Sequence, residues 1–456
     1  MEFISIPFTA LLTVTFILYY LKTNRHWQHG LLLLASLVFA GYYHFIYIVY
    51  AIGINVFTFY AGKWLTAVRS RKQAPYVFVG SLAALVGTWL IARYWAPLFP
   101  LGISFYTFQA LSYLIEIYWD EEPEDSLMDF TLYMLLFMKF LSGPIERGFD
   151  LLPQLKRARR FDYDNVVYGM KLVVWGAFMK LVIADRIAPS LDTVFSNVQE
   201  ASGIQLLVVT LIYPIQLYAD FAGYTLMAIG LGQMFGFRLS PNFDRPFVSL
   251  TTGELWRRWH ISLSAWVRDY VFMPMSAATR KWKRWGVYSS LIVTFVVIGV
   301  WHGAGWAFAL YGLFQGIVVV YETAASRFRD GVRRLLPASV YNPLQMMRTY
   351  VLFALSLLFF RLPKIDDVLY TYRHLLDGFE TNIKELRLGM TDSQWIYFGV
   401  SVLLMFLLEY AHSRVDILEW TSRRPIWQRW PIYFTTILLI FLFGAFGVEN
   451  FIYVQF

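Results

Sequence analysis

Apolar stretches long enough to cross, or nearly cross, a bilayer as helices recur from one end of this 456-residue chain to the other. They run over Ile6 to Leu21, Leu31 to Ala61, Tyr76 to Trp95, Leu101 to Trp119, Phe130 to Leu141, Val166 to Ile183, Gln205 to Phe237, Val287 to Trp301, Trp306 to Tyr321, Tyr350 to Phe360, Trp395 to Leu408 and Ile432 to Phe446. Composition agrees: 58% of the residues are hydrophobic and 15% charged, where soluble domains carry about 25% charged. Too few charges remain to cover a water-soluble surface, whereas lipid covers an apolar one. The pattern predicts an all-α integral membrane protein, one membrane-embedded domain over 1–456, with about 10–12 transmembrane or re-entrant helices.

The uneven lengths carry information. Leu31 to Ala61 is flanked by Lys22 and Arg25 on one side and by Lys63, Arg69, Arg71 and Lys72 on the other, which predicts two crossings. Gln205 to Phe237 contains Pro214 and Asp220 and predicts a helix pair or a broken helix. Phe130 to Leu141 and Tyr350 to Phe360 are short enough to be re-entrant or buried in protein. Met1 leads straight into Ile6 to Leu21 without a basic segment or a small-residue cleavage signature, so the first span is expected to be retained. Asp120 to Asp125 reads as a solvated acidic turn.

Lys and Arg total 39 against 31 Asp and Glu, and 39 − 31 gives +8. The excess gathers in connections: Lys156 to Arg160, Arg280 to Arg284 and Arg327 to Arg334, all expected to face the cytoplasm. Basic residues placed between apolar spans predict a membrane lipid environment and no nucleic-acid partner. The absence of cysteine removes disulfides, Cys-based zinc sites and a thiol nucleophile, so acyl chemistry must run on oxygen or nitrogen.

Walker loops, Gly-x-Ser-x-Gly elbows and His-Glu-x-x-His are missing, and Gly230-Leu-Gly232-Gln-Met-Phe-Gly236 has the wrong last spacing for a dinucleotide loop and reads as helix packing. Two segments stand out. In the first, Thr251 and Glu254 form a capping box, after which Trp256, His260, Leu263 and Val267 fall on one face of a continuous helix, with Arg257, Ser264 and Arg268 on another. His260 is there either a ring anchored at the interface or a functional group. The second is Gly299-Val-Trp301-His302-Gly303, where Gly299 and Gly303 let a neighbouring helix approach an intramembrane histidine. His302 either bonds between helices or performs chemistry. Two imidazoles in an apolar chain suggest a general base or a metal; no histidine or carboxylate lies at helical spacing from His302, which favours the base and predicts no metal. A dehydrated site favours the neutral imidazole, the form that accepts a proton from an alcohol. Asp220 either orients a histidine or bonds across helices.

Six pieces, in order, resemble the membrane-bound O-acyltransferase family and its bacterial polysaccharide branch: Pro100-Leu-Gly-Ile-Ser-Phe-Tyr-Thr-Phe108, Ser142-Gly-Pro-Ile-Glu-Arg147, Asp220-Phe-Ala-Gly-Tyr224 with Ala228-Ile-Gly230, Asn242-Phe-Asp-Arg-Pro-Phe247, Trp256-Arg-Arg-Trp-His260 with Arg268-Asp-Tyr270, and Trp301-His-Gly303. The resemblance implies a ring of tilted helices around a central tunnel, His302 as catalytic base, and His260 at the family's earlier His, Asn or Asp position. It also implies transfer of an acetyl or other short acyl group from a cytoplasmic thioester, acetyl-CoA or an acylated carrier protein, with no bound cofactor. The acceptor would be a secreted or cell-surface polysaccharide, reached directly or through an extracytoplasmic acetyltransferase partner, and the location the bacterial cytoplasmic (inner) membrane. Trp256, Arg257, Arg258, Asp220, Asn242 and Trp301 are the substrate-binding residues expected on this basis.

Parts of the chain resemble the alginate O-acetyltransferase type. Met275-Ser-Ala-Ala278 replaces that type's Gly-Gly pair, Thr225-Leu226 its Ser-Asp, and the loop before Pro100 is short. Ser142 to Arg147 and Asp269 to Met273 are similar instead to the D-alanyl transfer protein of teichoic acid synthesis, which makes D-alanyl transfer the alternative. The alternatives from other classes are a transporter or flippase, which inverted repeats would favour and which the sequence lacks, and a metal-dependent hydrolase.

Overall fold

A computed structural model describes residues 1–94, 102–141, 143–377 and 383–447. Trp95, Pro100, Leu101 and Ser142, named in the spans and motifs above, lie outside the described residues. Within them the secondary structure is helical apart from one isolated antiparallel bridge between Phe243 and Trp259. Nine of the described helices are long and apolar enough to cross a membrane, and Ile6–Leu21 is a shorter apolar one. The protein is a multi-pass, all-α membrane protein.

The chain sorts into two compact units. Of the described residues, the first contains Met1–Ala177 and Tyr224–Pro241, and the second contains Phe178–Gly223 and the chain from Asn242 to Gly447. In the first, Arg25–Gly41 and Phe45–Val68 are separate helices, as the flanking charges require, and the backbone turns extended at His44 between them. Leu127–Leu135 is a short helix followed by the non-helical, almost wholly buried stretch 136–141, where Leu136, Phe137 and Met138 are shielded by protein. The acidic turn is only half solvated: Asp120 and Glu122 pair with Arg69 at the surface, whereas Glu124 is buried, accepts the N–H groups of Asp125 and Ser126 at 3.0 Å, and pairs with Lys156.

Three expectations give way. Gly203–Met234 is one helix of 32 residues with Pro214 inside it. At 1.5 Å per residue it is about 48 Å long, well beyond a hydrocarbon core of about 30 Å. Pro214 removes one backbone bond, but 72% of the helix's apolar window is buried, so surrounding protein holds the rod together where an isolated helix would break. Tyr350 to Phe360 is the end of Ala338–Arg361, whose first half carries Asn342, Gln345 and Arg348 and so looks too polar to span. Arg327 to Arg334 is the amphipathic helix Ser326–Leu335, with Phe328 and Leu335 exposed. At the other extreme, none of the apolar window of Ile426–Phe443 is buried, so lipid is its expected surrounding.

Candidate active site

In the second unit the capping of Thr251 holds: its hydroxyl accepts from the Glu254 N–H at 3.0 Å, while the Glu254 carboxylate reaches back to the Leu250 N–H at 3.0 Å. The expected continuous helix does not follow. Thr252–Arg258 ends, Trp259 is extended, and His260 takes φ 44° and ψ 55° before Ile261–Val267 begins. This left-handed conformation is costly for a residue with a Cβ and is kept only where surroundings dictate it. The physical reason for the break is a tertiary pairing that periodicity cannot register. Asn242 and Asp244 bracket the turn through backbone bonds, Ile261 N–H to Asn242 oxygen at 2.9 Å and Asp244 N–H to Arg258 oxygen at 3.0 Å, around the Phe243–Trp259 bridge.

Side chains complete this frame. Asn242 Oδ1 accepts from the Ser262 N–H at 3.1 Å and hydroxyl at 2.7 Å, capping the helix that starts after His260. Arg258 donates to Asp244 at 2.8 Å and Glu254 at 3.1 Å, which ties the first helix to the segment around the bridge. Trp256 is buried and donates its indole N–H to Gln315 at 3.0 Å; Gln315 in turn donates to Ser356 at 2.6 Å. Arg257 is exposed, whereas Arg258 is partly buried.

His302 closes Arg284–His302 and is buried. Its Nδ1 lies 2.7 Å from the Ile298 carbonyl oxygen. A carbonyl only accepts, so Nδ1 carries the hydrogen and Nε2 carries the basic lone pair. Trp301 lies beside both imidazoles, its ring centroid 4.6 Å from that of His302 and 6.1 Å from that of His260. Phe221 meets His260 edge-on at 4.7 Å, while Phe360 and Tyr311 flank His302 at 5.4 and 6.2 Å. Burial pushes the His260 imidazole well below its usual pKa range, and the nearby His302 acts in the same direction. The two histidines, 42 positions apart in the sequence, thus share one apolar, aromatic-walled environment.

Asp220 bonds across helices to Lys180 at 2.7 Å, and Lys180 also bonds Asp185 at 2.6 Å. All three are buried, and Lys180 sits in a π-helical turn, Met179–Ala184, inside the apolar segment Tyr163–Ser196. The triad anchors Asp220, whose neighbour Phe221 touches His260. Sequence reasoning passed over Lys180 and Asp185, although two opposite charges inside one apolar run are a legible signal. It also passed over Glu322, buried, which accepts from the Thr252 N–H at 2.8 Å and from Arg348 at 2.7 Å and so caps Thr252–Arg258 from outside. Among the described residues no three metal-ligating side chains come together.

Comparison with known proteins agrees with the motifs. The model of the membrane-bound O-acyltransferase family matches residues 123–360. The chain is 31% identical to the probable alginate O-acetylase AlgI of Pseudomonas aeruginosa, over 91% of its own length and 82% of that protein's. It is 29% identical to the peptidoglycan O-acetyltransferase of Helicobacter pylori over 74% and 72% of the two chains. To the teichoic acid D-alanyltransferase of Streptococcus thermophilus it is 30% identical over 51% and 59%. The match spans the bridged Trp-Arg-Arg-Trp-His segment and both buried histidines, and the chain belongs to the membrane-bound O-acyltransferase family as an integral-membrane O-acyltransferase.

Proposed function

We propose that this protein transfers an acetyl group from a cytoplasmic thioester donor toward a hydroxyl of a secreted or cell-surface polysaccharide, working as one domain in the bacterial cytoplasmic membrane. Likeness to an alginate O-acetylase over nine-tenths of the chain, at 91%, supports acetyl and polysaccharide. The basic connections beside apolar spans support a donor arriving from the cytoplasm. The acceptor is either the polysaccharide itself or an extracytoplasmic acetyltransferase that completes the transfer.

The observation that carries the chemistry is the His302 Nδ1 bond to Ile298 at 2.7 Å, which leaves the lone pair on Nε2. In the reaction Nε2 takes the proton of the acceptor hydroxyl as its oxygen attacks the thioester carbonyl carbon. The tetrahedral intermediate then expels the thiolate: the C–S bond breaks, and the proton on Nε2 passes to sulfur. No net proton is gained or lost, and no metal or bound cofactor enters. His260 polarises or positions a reactant, and Trp301, beside both rings, forms the wall against which it lies. Arg257 offers its exposed guanidinium to the phosphates of the donor. Asn242, Trp256, Arg258 and Asp220, engaged in the bonds described above, hold this arrangement in place around the substrates.

A labelled-donor assay on purified wild type and His302→Ala tests the reading, with elution volume and thermal unfolding as checks on folding. The variant is expected to lose transfer while unfolding like the wild type; equal activity overturns the assigned base. Offering acetyl-CoA and an acylated carrier protein side by side tests the donor. Transfer of D-alanine from the carrier alone would assign the protein to the teichoic acid type.

A further inference from the structure

The first unit holds a half-open cavity of about 340 Å³ lined by Gln154, Arg159, Asn165, Gln233, Gly236 and Arg238. Asn165 lies at the start of Tyr163–Phe178 and Gln233 at the end of Gly203–Met234. These helices pass so closely at Gly169 and Gly230 that a Cβ on either would lie 2.4 or 2.5 Å from the other's backbone oxygen. The cavity therefore opens at the mouth of a tightly packed antiparallel pair. Beside it Phe161, Tyr163 and Leu21 are 54%, 61% and 66% exposed, an aromatic and aliphatic fringe of the kind that marks a membrane–water interface.

Its lining is fixed from behind. Gln154 clamps the backbone of Arg238, accepting from its N–H at 2.9 Å and donating to its carbonyl at 3.0 Å. The Arg159 guanidinium donates to the Gln154 carbonyl at 2.6 Å and lies over the Phe237 ring at 5.4 Å, while its backbone bonds both ends of the Gln28 amide at 2.8 and 2.7 Å. Gly236, at φ +82°, lets the chain turn here. Gln233 donates to Asn165, leaving amide groups in the wall.

The charge in this wall is unbalanced. Neither Arg159 nor Arg238 forms an ion pair among the described residues, and the partly buried Arg159 keeps an Nε without a hydrogen-bond partner there. The nearest acid in sequence, Asp162, is exposed and bonds the Asn165 N–H at 3.0 Å. Arg157 and Arg160, flanking Arg159 in sequence, are exposed. Two guanidiniums and primary amides around a half-open cavity suit a tetrahedral oxyanion, which Arg binds through paired N–H groups. The exposed apolar fringe of Phe161 and Tyr163 favours a lipid head group over a free ion as the source of that oxyanion.

We propose that this cavity binds the phosphate of an anionic phospholipid head group. The test uses the full chain in neutral detergent, titrated with phosphatidylglycerol, phosphatidylcholine or inorganic phosphate, with bound lipid counted by native mass spectrometry and thermal unfolding followed in parallel. Wild type is expected to retain phosphatidylglycerol roughly tenfold more tightly than Arg238→Gln or Arg159→Gln. Among the described residues Arg238 bonds the fold through its backbone only, so Arg238→Gln keeps the test meaningful should Arg159→Gln fail to fold. Equal retention by wild type and Arg238→Gln, equal retention of the two lipids, or a response to inorganic phosphate alone overturns the proposal.

Discussion

Asn242 Oδ1 accepts two hydrogen bonds from Ser262, from its N–H at 3.1 Å and from its hydroxyl at 2.7 Å, two positions beyond the left-handed His260. The amide thereby fixes where the second helix begins and, with it, the direction in which the His260 ring leaves the backbone. Asn242→Ala strands two buried groups and removes a cap, a loss of about 2 kcal/mol. Asn242→Asp keeps the acceptor and adds a charge favoured at a helix start. Thermal unfolding and acyl transfer measured on both should show Ala impaired in each and Asp restored in unfolding temperature. An Ala variant as stable and active as wild type would remove the capping role.

The backbone at His260 makes a second forecast. Asn accepts φ near 44°, whereas a β-branched side chain there clashes with its own backbone at a cost of about 1–2 kcal/mol before any lost packing. His260→Asn is expected to unfold close to the wild-type temperature with reduced transfer, and His260→Val to lose both. If Val and Asn unfold alike, the left-handed turn is not what constrains this position.

Much of this arrangement was legible in the sequence, and the gaps have physical causes. The apolar runs followed from residue type, because lipid leaves few ways to satisfy a backbone, whereas His260 and His302 stood out by residue type and were given catalytic roles only by the family resemblance. The division of Leu31 to Ala61 was readable from charges at its ends. Helical periodicity, by contrast, carried Trp256 straight through His260, since what breaks the helix is Asn242 to Asp244 lying alongside it, an interaction between segments whose side-chain pattern shows nothing of the kind. Pro214 misled in the opposite sense: local chemistry argues for a break, and tertiary burial overrules it. Glu322 was hidden because a carboxylate at the end of an apolar run reads as the membrane boundary, and only the fold reveals the N–H groups it faces.

Glu322 and Arg348 should behave as a coupled pair. The carboxylate takes the Thr252 and Gly253 N–H groups at 2.8 and 3.4 Å and Arg348 at 2.7 Å. Glu322→Gln is expected to destabilise by about 2 kcal/mol, because the amide offers one acceptor where two were used and leaves Arg348 without its counter-charge. Arg348→Met should cost less, being partly exposed, and the double variant less than the sum. Additive losses in a double-mutant cycle on thermal unfolding would dissolve the pair into independent contacts.

Gly299 links the packing of the membrane helices to the base three residues further on. A Cβ there would lie 2.2 Å from the Phe308 carbonyl oxygen and 2.9 Å from the Gly312 nitrogen, and one on Gly312 would lie 2.2 Å from the Phe295 oxygen. These are backbone atoms and cannot swing aside, so Gly299→Ala must push Arg284–His302 away from Trp306–Ala324, at about 1–3 kcal/mol. Because His302 rides on the displaced helix while its neighbours Phe360 and Tyr311 do not, transfer should fall along with unfolding temperature. Gly331→Ala supplies the contrast: nothing lies within 4 Å of that position in Ser326–Leu335, and alanine there should raise stability by about 0.5–1 kcal/mol and leave transfer unchanged. Equal unfolding temperatures and equal activity for the two alanine variants would show that the close approach at Gly299 does not hold the base in position.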